Sequence, residues 1–264
     1  MIRLDGIGKR FNLGGINEVI ALDQIDLHIR PGDFVTIIGS NGAGKSSLLN
    51  ALAGTFAIDS GRIRLGARDV TDWPEYRRAA LIGRVFQDPL VGTCASLSIE
   101  QNLALAVRRG HRRGLGLGVK ACDRRQFRDQ LASLGLGLEN RLKARVGLLS
   151  GGQRQALTMV MATLMAPEVL LLDEHTAALD PKTADQILAL TRNLIAERGL
   201  TTLMVTHNMS HALALGNRLV MLHRGRVIFD VAGEEKAGLA VEDLLARFSA
   251  SQGETFASDR ALLG

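Results

Sequence analysis

The apolar positions of the chain follow two periods. Phe34-Val-Thr-Ile-Ile38, Val169-Leu-Leu-Leu172 and Thr201-Thr-Leu-Met-Val205 are short apolar runs bounded by polar or turn residues, so they read as buried strands. Between the last two, Ile187, Leu190, Leu194 and Ile195 recur at helical spacing. This is a strand–helix–strand unit of the kind closed by a right-handed crossover. The stretch from Ser46 to Leu52 predicts a helix after the first of these strands. Ile2 to Leu4, Ile25 to Ile29 and Arg62 to Leu65 read as short antiparallel strands, and Leu219 to Leu222 and Val227 to Phe229 flank a turn at Arg224-Gly225. From Pro89 to Leu148 helical spacing dominates (Leu103 and Val107; Phe127, Leu131 and Leu134), broken by the Gly/Arg/Leu-rich stretch Gly110 to Gly118. The expected architecture is therefore α/β: a core with parallel strands and an antiparallel β subdomain over residues 1–89 and 151–230, and an inserted α-helical subdomain over 90–150. A short tail over 231–264 carries one amphipathic helix, Val241 to Phe248. No internal repeat is visible.

Composition changes this picture little. A chain of 264 residues with 46% apolar side chains can bury a full core, which excludes a disordered segment or a small stapled scaffold. The net charge of +5 is local: Arg108 to Arg128 holds eight Lys/Arg and one acid, Asp123, leaving the rest of the chain at −2. That run reads as a solvated helical surface or as a contact for anionic lipid headgroups. A nucleic-acid surface is not expected, because aromatics are only 4% and Trp73, Tyr76 and Phe127 are too scattered to form a stacking platform. Cys94 and Cys122 lack the spacing of a disulfide or zinc framework and read as small semi-apolar fillers in a reducing compartment. The longest run without Asp, Glu, Lys or Arg, Gly199 to Asn217, includes His207, Asn208, Ser210 and His211, so no membrane span is predicted. The N-terminus has no signal-peptide pattern.

The candidate chemistry is sharper. Gly39-Ser-Asn-Gly-Ala-Gly-Lys-Ser46 fits G-x-x-x-x-G-K-[ST] between a strand and a helix. Glycines let the backbone wrap phosphate oxygens, the amides converge with the helix N-terminus behind them, Lys45 reaches the β- and γ-phosphates, and the Ser46 hydroxyl can ligate Mg²⁺. Asp173 and Glu174 close a buried strand at its carboxyl end, where α/β proteins place ligands. Asp173 is the candidate metal support and Glu174 the candidate general base. Leu149-Ser-Gly-Gly-Gln-Arg-Gln155 precedes a helix with Leu157, Val160, Met161 and Leu164 on its apolar face. Ser150 therefore falls at an N-cap whose flanking glycines expose amides, which is a second anion site.

Taken together, these residues resemble the ATP-binding cassette family over nearly the whole chain. Residues 40–47 look like its Walker A loop, Val169 to Glu174 its Walker B strand, and Leu149 to Gln155 its signature motif. Gln87 matches its Q-loop, Ala178-Leu-Asp180 its D-loop and His207 its switch histidine. The resemblance implies a P-loop NTPase fold with a RecA-like core, a β subdomain and a helical subdomain. It also implies two such domains meeting head to tail, each ATP lying between one Walker A loop and the partner's signature motif. By position, Gly39, Ser40, Asn41, Gly42, Ala43, Gly44, Lys45, Ser46 and Ser47 hold the nucleotide with Phe11 stacked on adenine, although Asn12 to Glu18 lengthens the loop after Phe11. Ser46, Gln87 and Asp173 ligate or support Mg²⁺, Glu174 and His207 are catalytic, and Ser150, Gly151, Gly152 and Gln153 reach the partner's ATP. The implied protein is the ATPase of a bacterial importer. Such a subunit is peripheral on the cytoplasmic face of the membrane, with a separate permease, docked in a groove including Phe86 to Ala95, and an extracytoplasmic substrate-binding protein as partners. Some members of the subgroup it resembles serve tryptophan or tyrosine transport. A soluble ATPase acting on nucleic acid or in assembly is the alternative. One departure is His175, where the family's Asp-Glu-Pro-Thr reads Asp-Glu-His-Thr; it is expected to be structural.

Overall fold

The computed structural model describes residues 1–111 and 118–250. Residues 112–117, the centre of the Gly110 to Gly118 break and part of the basic run, lie outside the described residues, as do 251–264 of the tail. The chain divides into two compact units, Met1–Asp72 with Leu203–Gly264, and Trp73–Thr202.

The first unit begins with β1 (Ile2–Phe11), β2 (Val19–Ile29), β3 (Phe34–Gly39), α1 (Lys45–Ala53), β4 (Ser60–Leu65) and β5 (Arg68–Asp69). The second holds α2 (Glu75–Arg78), β6 (Ile82–Val85), α3 (Ile99–Val107), α4 (Ala121–Ala132), α5 (Gly151–Thr163), β7 (Val169–Asp173) and α6 (Pro181–Arg198). The chain then runs through β8 (Thr201–Val205), α7 (Met209–Ala214), β9 (Arg218–His223), β10 (Arg226–Ala232) and α8 (Gly233–Ala237), followed by a helix over 241–250.

In the first unit β2, β1, β4 and β5 form an antiparallel sheet in that order, while β3 runs parallel to β9 and β10 returns antiparallel to β9. β1 and β2 are longer than their alternation predicts. The period is broken by register shifts after Leu4 and Ile7, where Gly6 has φ +59°, and by Gln24 at φ +51°, so each strand's second half points out of phase with its first. The turn between β9 and β10 falls at Arg224-Gly225, both at positive φ (+46° and +79°). β3 is buried along its apolar residues, with the Thr36 hydroxyl donating to Ala212 O at 2.9 Å. That continuous burial explains why its sequence does not alternate.

In the second unit β6 and β7 are parallel. The helical part has its own core, in which Ile99 and Leu103 of α3, Phe127 and Leu131 of α4, and Leu157 and Val160 of α5 are buried together with Leu138, Leu142, Val146 and Leu149. Leu103, Phe127, Leu131, Leu157 and Val160 are positions read from the sequence, whereas the equally expected Val107, Leu134, Met161 and Leu164 pack against this core only partly buried. On α6 the buried face is Ala184, Ile187, Leu188, Thr191, Leu194 and Ile195, so Leu188 takes the place expected of Leu190. Both cysteines are exposed. The filler role is thereby corrected: Cys94 lies in a loop whose polar atoms bond Asn102 rather than a core, and Cys122 is in the first turn of α4, ahead of that helix's buried Phe127. Among the described residues, no helix is long and apolar enough to cross a membrane.

Candidate functional site

In the first unit β3 delivers the chain into the glycine loop. Gly39 has φ +153°, and a Cβ there would meet Leu222 O at 2.3 Å; Gly44 has φ +99°, and its Cβ would meet Ala21 O at 2.3 Å. Glycine is therefore required at both for steric as well as conformational reasons. Gly44 is also the N-cap of α1 and provides no side-chain cap, so the first-turn amides point into the loop's concavity without a competing side-chain acceptor. Lys45 is 7% exposed, and its Nζ donates to Gly39 O and Ser40 O, each at 2.9 Å. Those two bonds fold the ammonium back over the loop, so the charge is fixed where the amides converge. Ser46 is exposed beside it and Ser47 half-buried. The loop is braced from behind by Gly225 N donating to Ala43 O at 3.0 Å. These features form the cradle a nucleotide phosphate needs.

The switch candidate lies in the same unit. Thr206 N donates to Ile37 O at 3.1 Å, which brings the residue before His207 level with the end of β3, just ahead of Gly39. Asn208 caps α7, with Oδ1 accepting from His211 N at 2.9 Å, and its own N–H donates to Thr206 Oγ1 at 3.1 Å. The backbone on both sides of the exposed His207 is thus held. Phe11 ends β1 with 36% of its surface exposed, edge-on to Phe56 at 5.3 Å between centroids, with Lys9 Nζ 5.5 Å from both rings. Lys9 also bonds Asp59 at 2.7 Å, which with the Arg10 amide holds that carboxyl below its usual range.

In the second unit Asp173 ends β7 and faces the Arg84 guanidinium at 3.7 Å, both side chains only 13% exposed. Burial lowers Arg84 below its ordinary range while the Asp173 carboxylate opposes the shift, and the guanidinium stacks 4.5 Å from the Phe86 ring. Glu174 follows at φ +42°, a left-handed conformation that costs a non-glycine residue about 1 kcal/mol or more and is held by Ala177 N donating to its carbonyl at 2.9 Å. The strand pairing puts Val85 opposite Leu172, so Gln87 and Glu174 emerge two residues beyond the same rung. His175 is 2% exposed, with Nε2 3.1 Å from Thr191 Oγ1. The Thr191 hydroxyl spends its proton on Ile187 O at 2.7 Å, so it accepts from His175, which fixes the Nε2-protonated tautomer. His175 points into α6 and anchors the chain after the acids.

The signature segment is also in the second unit. Ser150 caps α5: its Oγ accepts from Gln153 N at 3.2 Å and its N–H donates to Gln153 Oε1 at 3.3 Å, a reciprocal capping box. Gly151 and Gly152 supply the first helical amides, and a Cβ on Gly152 would meet Thr183 Cγ2 at 2.3 Å. Asp180 caps α6, its Oδ1 accepting from Thr183 N at 3.1 Å, and the hydrogen bonds of the Thr183 hydroxyl first and its amide second lower the carboxyl.

Two residues were missed from sequence. Arg84 was hidden among strand residues, where its partner Asp173 is far along the chain. Arg154 gives its guanidinium to the carbonyls of Val146, Gly147 and Leu149 at 3.2–3.4 Å, clamping the turn that leads into Ser150. Its place at i+4 from the cap was the only available signal.

Residues 22–177 match the ABC transporter family. A tyrosine transport ATP-binding protein of Clostridioides difficile (strain R20291) is 44% identical over 94% of this chain and 98% of its own length. The methionine import ATP-binding protein MetN of Rhizobium etli is 34% identical over 86% of this chain and 60% of its own length, so the chain spans less than two thirds of that relative. Among solved structures, the ATP-binding cassette MJ0796, a dimer in a post-hydrolysis state bound to ADP and Pi, superposes with a TM-score of 0.75 at 28% identity, covering 88% of this chain and 98% of that one. The glycine cradle around a buried lysine, the paired acids closing β7, the capped Ser-Gly-Gly helix and these likenesses lead to one conclusion: the chain belongs to the ABC transporter family, as its ATP-binding cassette.

Proposed function

We propose that the chain hydrolyses ATP at the loop of Gly39 to Ser47 to drive uptake of an aromatic amino acid through a separate permease. The observation that carries the nucleotide part is Lys45, buried and hydrogen-bonded over a concavity of amides that two sterically obligatory glycines shape. Lys45 and the loop amides hold the β- and γ-phosphates, and Phe11 offers its exposed face to the base. The oxygen donors of Ser46, Gln87 and Asp173 fit Mg²⁺, which takes few protein ligands and completes its shell with phosphate oxygens and water. When bound, the ion supplies charge neutralisation of the triphosphate. Glu174, on a left-handed backbone and followed by the buried His175, takes the proton of the attacking water. His207 donates toward the γ-phosphate. Ser150, Gly151, Gly152 and Gln153 serve the nucleotide of a second copy in a head-to-tail dimer, so binding closes the dimer and hydrolysis reopens it. The exposed Leu90 and Val91 in the segment after Gln87 support a docking surface for the permease, and on this reading the chain works at the cytoplasmic face of the membrane.

The cargo rests on the relative named for tyrosine transport. Glu174→Gln tests both levels. The purified variant is expected to bind ATP as before while turnover falls by roughly a thousandfold. In cells carrying it in place of the natural chain, uptake of labelled tyrosine and tryptophan should stop while methionine uptake continues. Unchanged hydrolysis removes Glu174 as the base; unchanged aromatic uptake removes the cargo.

A further inference from the structure

Part of the basic surplus gathers at one place in the second unit. Arg124 and Arg128 of α4 and Arg141 and Lys143 of the following segment line a cleft of about 480 Å³ with the carboxylates of Glu100 and Glu139. Glu100, 8% exposed, is already engaged: Arg124 donates from Nε to Oε2 at 2.7 Å and from Nη2 to Oε1 at 3.2 Å. Its carboxyl is held below the ordinary range first by that hydrogen bond, with the charges of Arg124, Lys143 and Arg128 adding to it, so cations from separate segments converge on this one position. Glu139 accepts from Asn140 Nδ2 at 3.0 Å. Arg128, Arg141 and Lys143 are exposed and, among the described residues, take part in no ion pair or side-chain hydrogen bond.

Their backbone is not free to spread them apart. Glu100 N donates to Leu142 O and Ile99 N to Ala144 O, both at 3.0 Å, and Phe127, Leu131, Leu138 and Leu142 are buried beneath. Three like charges held over a concave, fixed surface repel one another, and an anion placed among them removes that repulsion. Two guanidinium forks and an ammonium suit the several oxygens of a phosphate better than a single carboxylate.

We propose that this cleft is a binding site for a phosphate-bearing anion, distinct from the nucleotide loop and independent of the role assigned to that loop. A lipid headgroup and a soluble phosphate share this chemistry, and the experiment separates them. The full chain is mixed with phosphatidylcholine vesicles with and without phosphatidylglycerol, and, separately, titrated with inorganic pyrophosphate while excess ADP occupies the loop. The comparison is with Arg128→Ala/Arg141→Ala/Lys143→Ala, with each single replacement, and with Arg125→Ala, an exposed arginine on the same helix outside the cleft. At about fivefold per cation, the triple variant should bind phosphatidylglycerol vesicles about a hundredfold more weakly, the singles about fivefold each, and Arg125→Ala as the natural chain does. The single replacements keep the test valid if the triple variant fails to fold. Loss of vesicle binding identifies lipid as the source; loss confined to pyrophosphate identifies a soluble phosphate. Binding of both probes unaffected by the replacements, or weakened equally by Arg125→Ala, overturns the proposal.

Discussion

The chain presents two helix N-termini for anions, and they are built in opposite ways. At α1 the cap is a glycine with no side chain, the loop before it bends through obligatory glycines, and a buried lysine brings its own positive charge to the concavity. At α5 the cap is Ser150 locked in a reciprocal box with Gln153, and the neighbouring cation, Arg154, is turned away onto the carbonyls of the preceding turn. The first is complete in itself: amides, dipole and charge are assembled before a ligand arrives. The second offers a hydroxyl and two glycine amides on a stiffened frame with no charge of its own. A half-dipole and a few neutral donors are worth about 1 kcal/mol each at an exposed helix end, too little to hold a triphosphate unaided. On the function proposed above, the difference makes the loop the binding element and the signature helix the sensing one, acting on a nucleotide that another surface already holds.

Three replacements sharpen this contrast. Lys45→Ala removes the charge that only the α1 site owns, and ATP affinity in a titration should fall ten- to a hundredfold, because a charge-assisted hydrogen bond contributes about 1.5–3 kcal/mol. Equal affinity would erase the asymmetry between the two sites. Arg154→Ala frees the turn before Ser150 without touching a ligand. It should leave nucleotide affinity unchanged and lower kcat several-fold, with Arg154→Lys recovering part of the loss; a change in affinity instead would mean that Arg154 serves binding.

The smallest effect concerns a third cation treated like Lys45 and Arg154, spent on carbonyls. Lys236 of α8 is 3% exposed and donates to Leu215 O and to Gly216 O, the carbonyls just past the C-terminal end of α7. Burial pushes it down to about 8 from an ordinary 10.5. Between those values the unfolded chain binds more protons than the folded one, so this lysine adds stability as pH rises through the window and adds none below it. Unfolding free energies of the natural chain and Lys236→Met should therefore diverge from pH 8 to 10.5, the natural chain gaining at most about 1.4 kcal/mol on the variant per pH unit. Parallel curves would show that the lysine ionises as it does in water.

What the sequence disclosed follows from how local each signal is. The phosphate loop, the Ser150 cap and the acids closing β7 are contiguous motifs whose geometry depends on neighbours along the chain, so residue order was enough. β1 was half hidden because bulges at Gly6 and beyond shift its phase, and phase is all that an alternation pattern offers. Arg84 beside Asp173, His175 bonded to Thr191 and the cations gathered around Glu100 depend on residues brought together from distant positions, which no local period reports. The left-handed Glu174 left no compositional trace, since glycine or asparagine would have announced it and glutamate does not.

The claim that the two anion sites serve one nucleotide across a dimer has a direct test. A mixed dimer of one Lys45→Ala chain and one Ser150→Glu chain is assembled and its ATP hydrolysis compared with that of each variant alone. Head-to-tail sites leave one intact pair, the loop of the Ser150→Glu chain with the signature helix of the Lys45→Ala chain, so the mixed dimer should recover up to about half the natural rate while each variant alone stays nearly inactive. A mixed dimer as inactive as its parents would show that loop and signature helix act within one chain, contradicting the account.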